Sequence, residues 1–291
     1  MSPEDRRTRA DVTGTPGVPG TLHGRPTRRI SNAACWLEFL SEGGPRIVGF
    51  GLVGDSNVFA ETPDSQWDSG YGKFELVGGH RLWFAPESPE CSFPDSTGLR
   101  IEALAGGVRL IGALQTPTGL RKMIEVTLAG GRPGAAAVHL RHVIRNEGGR
   151  VLDLAPWPVT QMRLGGVARV EMPGPSKASA PSQLVVMWPY GSWSDPRLNL
   201  SDRELAVAGR AGDPFKVGCQ SYTGRVVYEV DGLLFAKLFD PALGRSHADM
   251  GVNLEIYVDR GTIELESLGP LTRLAPGDSV EWIEDWELSR V

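Results

Sequence analysis

Two glutamates two positions apart, Glu264 and Glu266, alternate with Ile263 and Leu265. Successive side chains of a strand point to opposite faces, so this spacing sets both carboxylates on one face and the aliphatics on the other. The stretch before it repeats the pattern, with Leu254, Ile256 and Val258 alternating with Glu255, Tyr257 and Asp259. Two strands joined by Asp259-Arg260-Gly261 therefore present rows of acids on one face. That face is either solvated or lines a binding cleft, since unpaired charge is not buried in a core. Glycoside hydrolysis sets two carboxylates roughly 5–9.5 Å apart across a sugar. Neighbours about 7 Å apart on one strand do not flank a bond from opposite sides, which favours proton transfer over bond cleavage.

Aromatic side chains supply the apolar half of a sugar site, because a pyranose ring stacks on an aromatic face while its hydroxyls meet polar groups. Trp83, Trp157, Trp188, Tyr190 and Trp193 all stand near Gly, Pro or Ser, where loops and strand ends are expected. Residues 188–195 are the most loop-like of these stretches and read as a lid or rim. The only histidines close in sequence are His139 and His142. Three positions apart on a strand, they face opposite ways and do not chelate together, so no metal is expected, the alternative being a structural ion on acids such as Asp249 and Glu255. Cys35, Cys91 and Cys219 lack metal-type spacing and read as buried free thiols of a reducing compartment.

These residues need strands to position them. The 37 glycines and 22 prolines among 291 residues cut the chain into runs too short for helices of typical length. Strands are expected over residues 36–39, 46–52, 100–104, 108–115, 122–128, 137–145, 183–187, 225–230, 233–239, 254–259, 263–266 and 280–288. Gly-Gly pairs recur as turns, and Asp231-Gly232 is a two-residue hairpin signal. The expected fold class is all-β, with stacked antiparallel sheets. Residues 31–291 are expected to form one domain, preceded by an unstructured tail over residues 1–30 that is poor in apolar surface.

Charge narrows the partners. The net formal charge of −5 argues against a nucleic-acid-binding face, and the one basic cluster, with a local net of +3, lies in residues 1–30. No run of 18 apolar residues and no apolar secretory stretch occurs, so neither a membrane partner nor export is expected, and the cytoplasm follows.

Three stretches together resemble the galactose mutarotase-like superfamily, which includes the aldose 1-epimerases. Gly43-Gly44-Pro45-Arg46-Ile47-Val48 with Asn57-Val58-Phe59 is similar to the opening strands. Gly78-Gly79-His80-Arg81-Leu82-Trp83-Phe84-Ala85-Pro86-Glu87 is similar to a Gly-Gly turn and aromatic-proline stretch beside the sugar. Thr262-Ile263-Glu264-Leu265-Glu266-Ser267-Leu268-Gly269-Pro270, then Leu274-Ala275-Pro276-Gly277-Asp278, resembles the terminal catalytic strand and turn. An uncharacterised bacterial branch of the superfamily shares the Gly-Gly-His-Arg-Leu-Trp and Trp-Pro-Tyr motifs.

The resemblance implies a large antiparallel supersandwich acting on a small-molecule sugar without a cofactor. It aligns Glu266 with the base that takes the anomeric proton. The family's acid is a histidine after an Asn-x-Gly strand pair, but the matching stretch here reads Trp157-Pro158-Val159-Thr160-Gln161-Met162. His80 is the expected substitute if its strand lines the same cleft; otherwise it bonds a neighbouring strand or Glu87. Arg81, Glu264, Trp83, Trp157, Trp188 and Tyr190 are the expected sugar contacts. The absent histidine leaves a second reading open, a carbohydrate-recognition module without catalysis.

Overall fold

The computed structural model describes residues 15–132, 134–177, 179 and 183–291. Among these there is no α-helix, only two 3-10 turns, Pro89–Ser92 and Asp249–Gly251. No helix is long and apolar enough to cross a membrane. An eleven-stranded sheet runs in the order Val18–Leu22, Arg25–Ser31, Cys35–Leu40, Ile47–Leu52, His80–Ala85, Leu152–Met162, Ile263–Ser267, Leu254–Val258, Phe215–Cys219, Val185–Met187, with Thr272–Leu274 also pairing Leu152–Met162. A ten-stranded sheet packs on it, its centre built from Leu233–Phe239, Ser279–Arg290 and Ala135–Asn146. Every recorded pairing is antiparallel, and Glu61–Asp68 and Lys73–Gly78 form a small separate sheet. The fold is thus the large all-β antiparallel sandwich that the turn spacing implies.

Asp231 and Gly232, at φ 50° and 74°, close the hairpin between Arg225–Val230 and Leu233–Phe239 as their sequence requires. Leu152–Met162 was not expected as a strand, because Pro156 and Pro158 sit inside it and proline cannot donate to a ladder. The Gln161 N–H donates to the Gly79 carbonyl, so odd residues direct their amides toward His80–Ala85 and even residues toward the other side. On that other side the strand pairs through residues 159–162 with Ile263–Ser267 and through residues 152–154 with Thr272–Leu274. Both prolines fall in the gap between these partners, where no donor is needed.

The tail expectation requires correction. Val18–Leu22 and Arg25–Ser31 extend the eleven-stranded sheet, the second pairing with Cys35–Leu40 over five residues. Ile30 is buried in the core, and the Arg28 guanidinium donates to the carbonyls of Thr15, Pro16 and Gly17. Pairing with a strand edge supplies backbone bonds that composition does not reveal. Residues 1–14 of the expected tail lie outside the described residues.

The core between the sheets centres on Trp286, ringed by Phe59 at 5.5 Å, Phe235 at 5.7 Å, Phe50 at 6.0 Å and His80 at 4.7 Å. Deleting residues 1–31 is expected to lower the thermal midpoint by several degrees, since it strips two strands from the sheet and bares Cys35–Leu40. Differential scanning calorimetry of the truncated chain checks this, and an unchanged midpoint would show that these strands contribute nothing.

Candidate functional site

Strand alternation on the eleven-stranded sheet separates the candidate residues into two sets. On Ile263–Ser267, Ile263 and Leu265 enter the core while Glu264 and Glu266 point to the opposite, outer face. Leu254–Val258 and Phe215–Cys219 do the same with Glu255, Tyr257 and Lys216. The register sets Glu255 opposite Glu266 and Tyr257 opposite Lys216. Leu152–Met162 adds Trp157 and Gln161, and His80–Ala85 adds Arg81 and Trp83.

The centre of this face is a cation held between two carboxylates. Lys216 Nζ lies 2.6 Å from Glu255 Oε2 and 2.8 Å from Glu266 Oε2, and all three residues are buried. The Trp157 indole donates to the same Glu266 oxygen at 2.7 Å. Above the ammonium, the ring centres of Trp157 and Trp188 stand 4.7 and 4.8 Å away, within cation–π range. Burial opposes the Lys216 charge, but the Glu266 and Glu255 carboxylates more than offset it and raise the pKa. Burial also holds Glu255 well above the ordinary carboxylate range, Lys216 opposing and Glu266 reinforcing. Among the described residues, Glu266 Oε1 and Glu255 Oε1 have no hydrogen-bond partner, although both are fully buried. Unmet buried acceptors are costly and mark where a ligand or water bonds.

Beside this centre, Glu264 accepts from Gln161 Nε2 at 2.6 Å and lies 3.4 Å from Arg81 Nη2. Its pKa is pushed up to about 7, first by burial and then by Glu266, against the pull of Arg81 and Lys216. A carboxyl that changes charge near neutrality both gives and takes protons. Arg81 lies over the Trp83 ring at 5.0 Å, and Trp83 meets Trp157 edge-on at 5.4 Å. Arg81, Trp83, Trp157, Glu264 and Glu266 therefore share one face.

Trp188 lies against Gly218, where an added Cβ would stand 3.0 Å from Val252 and 3.2 Å from the indole ring, so glycine lets the ring sit close on the strand. Tyr190 follows at the rim, half exposed, and the Tyr190 phenol is pushed up by burial and by Glu266, Glu87 and Glu255, against Lys216. Trp193 is more exposed still, at 58%. Of this stretch, Trp188 stands over Lys216 and Tyr190 lies within electrostatic reach of Glu266 and Glu255.

His80 is not on this face. It points into the core, where Nδ1 meets Thr160 Oγ1 at 2.8 Å and Nε2 meets His142 Nε2 at 2.8 Å. His142 Nδ1 lies 3.1 Å from the Trp282 carbonyl and so carries a proton to donate there. That tautomer leaves His142 Nε2 as acceptor for His80 Nε2–H, and His80 Nδ1 as acceptor for the Thr160 hydroxyl. Burial, reinforced by mutual repulsion, puts the His80 pKa well below its ordinary value, and burial carries His142 down to about 4. Both imidazoles are neutral struts between the sheets. Glu284, also close to them, is engaged by Lys237 at 3.1 Å, Ser267 at 2.6 Å and Trp286 at 3.0 Å. His139 projects to the other side of its strand and meets Asp285 at 2.8 Å, so the two nearby histidines do face apart.

The cause of the His80 misplacement is local. Gly78 and Gly79 adopt φ of 97° and 69°, and a Cβ on either would fall within 2.2 Å of the Ala60 or Ile47 carbonyl oxygen. This is a close crossing of three chain segments, not a hairpin turn, and it fixes which neighbour points inward. Arg81 turns to the outer face and His80 to the core.

No protein-family model and no curated protein matches the sequence. Solved structures do. A TPR-domain containing protein from Parabacteroides distasonis aligns with a TM-score of 0.63 at 11% identity, over 91% of this chain, which spans about half (47%) of that protein. A putative aldose 1-epimerase from Escherichia coli K12 aligns with a TM-score of 0.60 at 11% identity, covering 91% of this chain and 99% of the other. A galactose mutarotase-like protein from Lactobacillus casei gives 0.56, again at 11%, over 90% and 99%. The fold is galactose mutarotase-like. On the mutarotase-like sandwich, as on any fold, chemistry is argued from the site.

Sequence reasoning missed Lys216 and Gln161. Phe215, Val217 and Cys219 alternate with Lys216 and Gly218, a period-2 signal that goes unread because Lys216 and Gly218 lower strand propensity. Two outcomes follow from the charges. Lys216→Met should cost about 3–5 kcal/mol in chemical denaturation by leaving buried acids unpaired, and adding Glu266→Gln should recover part of that loss. A protonated Glu264 is favoured by folding, so its contribution is full below pH about 4.5 and is lost as pH rises through about 7. Glu264→Gln should therefore flatten the fall in stability over that window, and a steeper fall would contradict the assignment.

Proposed function

We propose that the outer-face hollow binds the ring of a sugar and that the protein is carbohydrate-active, catalysing aldose ring opening and reclosure. In this reading Glu266 Oε1 takes the proton of the anomeric hydroxyl, the bond from the anomeric carbon to the ring oxygen breaks, and Glu264 delivers a proton to that oxygen. Rotation of the open aldehyde and return of both protons give the other anomer. Arg81 and Gln161 orient hydroxyls, while Trp83, Trp157 and Trp188 offer apolar ring faces. Glu87 and Asp249, both within electrostatic reach of one another, add acceptors at the rim.

One observation carries the reading: an unpartnered, buried Glu266 oxygen on the same face as a carboxyl that ionises near neutrality, among tryptophans. The names of similar folds, a putative aldose 1-epimerase and a galactose mutarotase-like protein, agree with it. Since Glu266 has no exposure, the Trp188 ring over Lys216 must shift for a sugar to reach it, and its return excludes water. Three free, buried cysteines fit a reducing, cytoplasmic location.

Recognition without turnover is the second reading. It is favoured by Lys216, which engages Glu266 Oε2 in an ion pair, and by the inward direction of His80. Exchange NMR of α and β anomers of common aldoses separates the two. Catalysis predicts acceleration that falls about 100-fold or more in Glu266→Gln. Saturable sugar binding with interconversion no faster than buffer would leave recognition alone.

A further inference from the structure

In the outer hollow a single ammonium serves two buried carboxyl groups: Lys216 touches Glu255 at 2.6 Å and Glu266 at 2.8 Å. Ionised, the two acids outnumber it. The other buried cations close by are engaged elsewhere, Arg81 with Glu264 at 3.4 Å and Lys237, between the sheets, with Glu284 at 3.1 Å. Glu87 and Asp249 add negative charge within electrostatic reach of the same centre. Burial, reinforced by Glu266, holds Glu255 above its ordinary range against Lys216, the response of a buried acid without a cation of its own.

The unmet hydrogen-bonding atoms have the same bias. Lys216 and the Trp157 indole both address Glu266 Oε2 and leave Oε1 without a partner, and Glu255 Oε1 is likewise unpartnered among the described residues. The unmet donors of this face, Arg81 Nε and the Trp83 indole N–H, belong to His80–Ala85, which two strands separate from Leu254–Val258. A ligand beside Glu255 therefore needs to bring donors and positive charge together. A hydroxyl brings a donor without the charge, whereas an ammonium brings both. A phosphate or a uronate brings charge of the wrong sign.

Strand geometry says where on the ring that ammonium belongs. Glu264 precedes Glu266 by two residues on one strand, whereas Glu255 faces Glu266 from the next strand, so the two flank Glu266 from different directions. With Glu266 at the anomeric hydroxyl and Glu264 at the ring oxygen, Glu255 is left with the other neighbour of the anomeric carbon, position 2. Taking the ring-opening reading above as given, we propose that the ligand of the outer hollow is a 2-amino-2-deoxyaldose, its ammonium held by Glu255 Oε1 while Lys216 keeps Oε2.

Isothermal titration calorimetry of the full chain at about pH 6, below the range in which amines of this kind lose their proton, compares glucosamine and galactosamine with glucose and galactose. Each pair differs only by an ammonium in place of a hydroxyl. The amino sugar is expected to bind about 10-fold or more tighter than its parent, and Glu255→Gln should collapse that ratio toward one. The wild-type comparison stands whether or not the variant folds. Parent hexoses that bind as tightly as the amino sugars overturn the assignment and leave the sugar reading intact, as does a preference that survives undiminished in Glu255→Gln. Binding of none of the four sugars overturns both.

Discussion

The ion pair of Lys216 with Glu266 and Glu255 is the constraint around which the outer face is built. Three ionisable groups withdrawn from water require compensation on the spot, and here each meets it through strand register alone. Phe215–Cys219, Leu254–Val258 and Ile263–Ser267 lie side by side, with Glu255 opposite Glu266 and Gly218 opposite Glu255, so Lys216, two residues before Gly218 on the same face, reaches both acids diagonally. The tryptophans complete the enclosure, one donating to the Glu266 carboxylate and two presenting rings to the ammonium. A slip of one residue in any of the three strands would send its charge into the aliphatic core.

The inner face solves the same problem differently. Lys237 meets Glu284 and the Leu265 carbonyl, Ser267 bonds Glu284, and the Trp282 indole bonds Ser267. The chain Thr160–His80–His142–Trp282 then crosses between the sheets. Ile263–Ser267 therefore carries a polar network on each side, the outer one with unmet acceptors and the inner one closed. Closed networks specify a packing, whereas open ones leave bonds for something to make.

Much of this was legible in the sequence where the signal is periodic. The acid rows of residues 254–259 and 263–266, the Asp231-Gly232 hairpin and the opposed directions of His139 and His142 all follow from a period of two, which a strand imposes on any chain. Where the signal depends on a neighbour, it was not legible. Arg25–Ser31 reads as polar tail because its stability comes from pairing with Cys35–Leu40, and Leu152–Met162 reads as interrupted because the gap that tolerates its prolines lies in another part of the chain.

The sequence by itself determined the strand class, the shared face of Glu264 and Glu266 and the aromatic supply, since these depend only on residue type and alternation. Tertiary structure alone decided that Lys216 meets those acids and that His80 turns away from them. Each of these depends on register between strands distant in the chain, or on the close crossing at Gly78-Gly79, and such contacts are set by the global packing of the sheets.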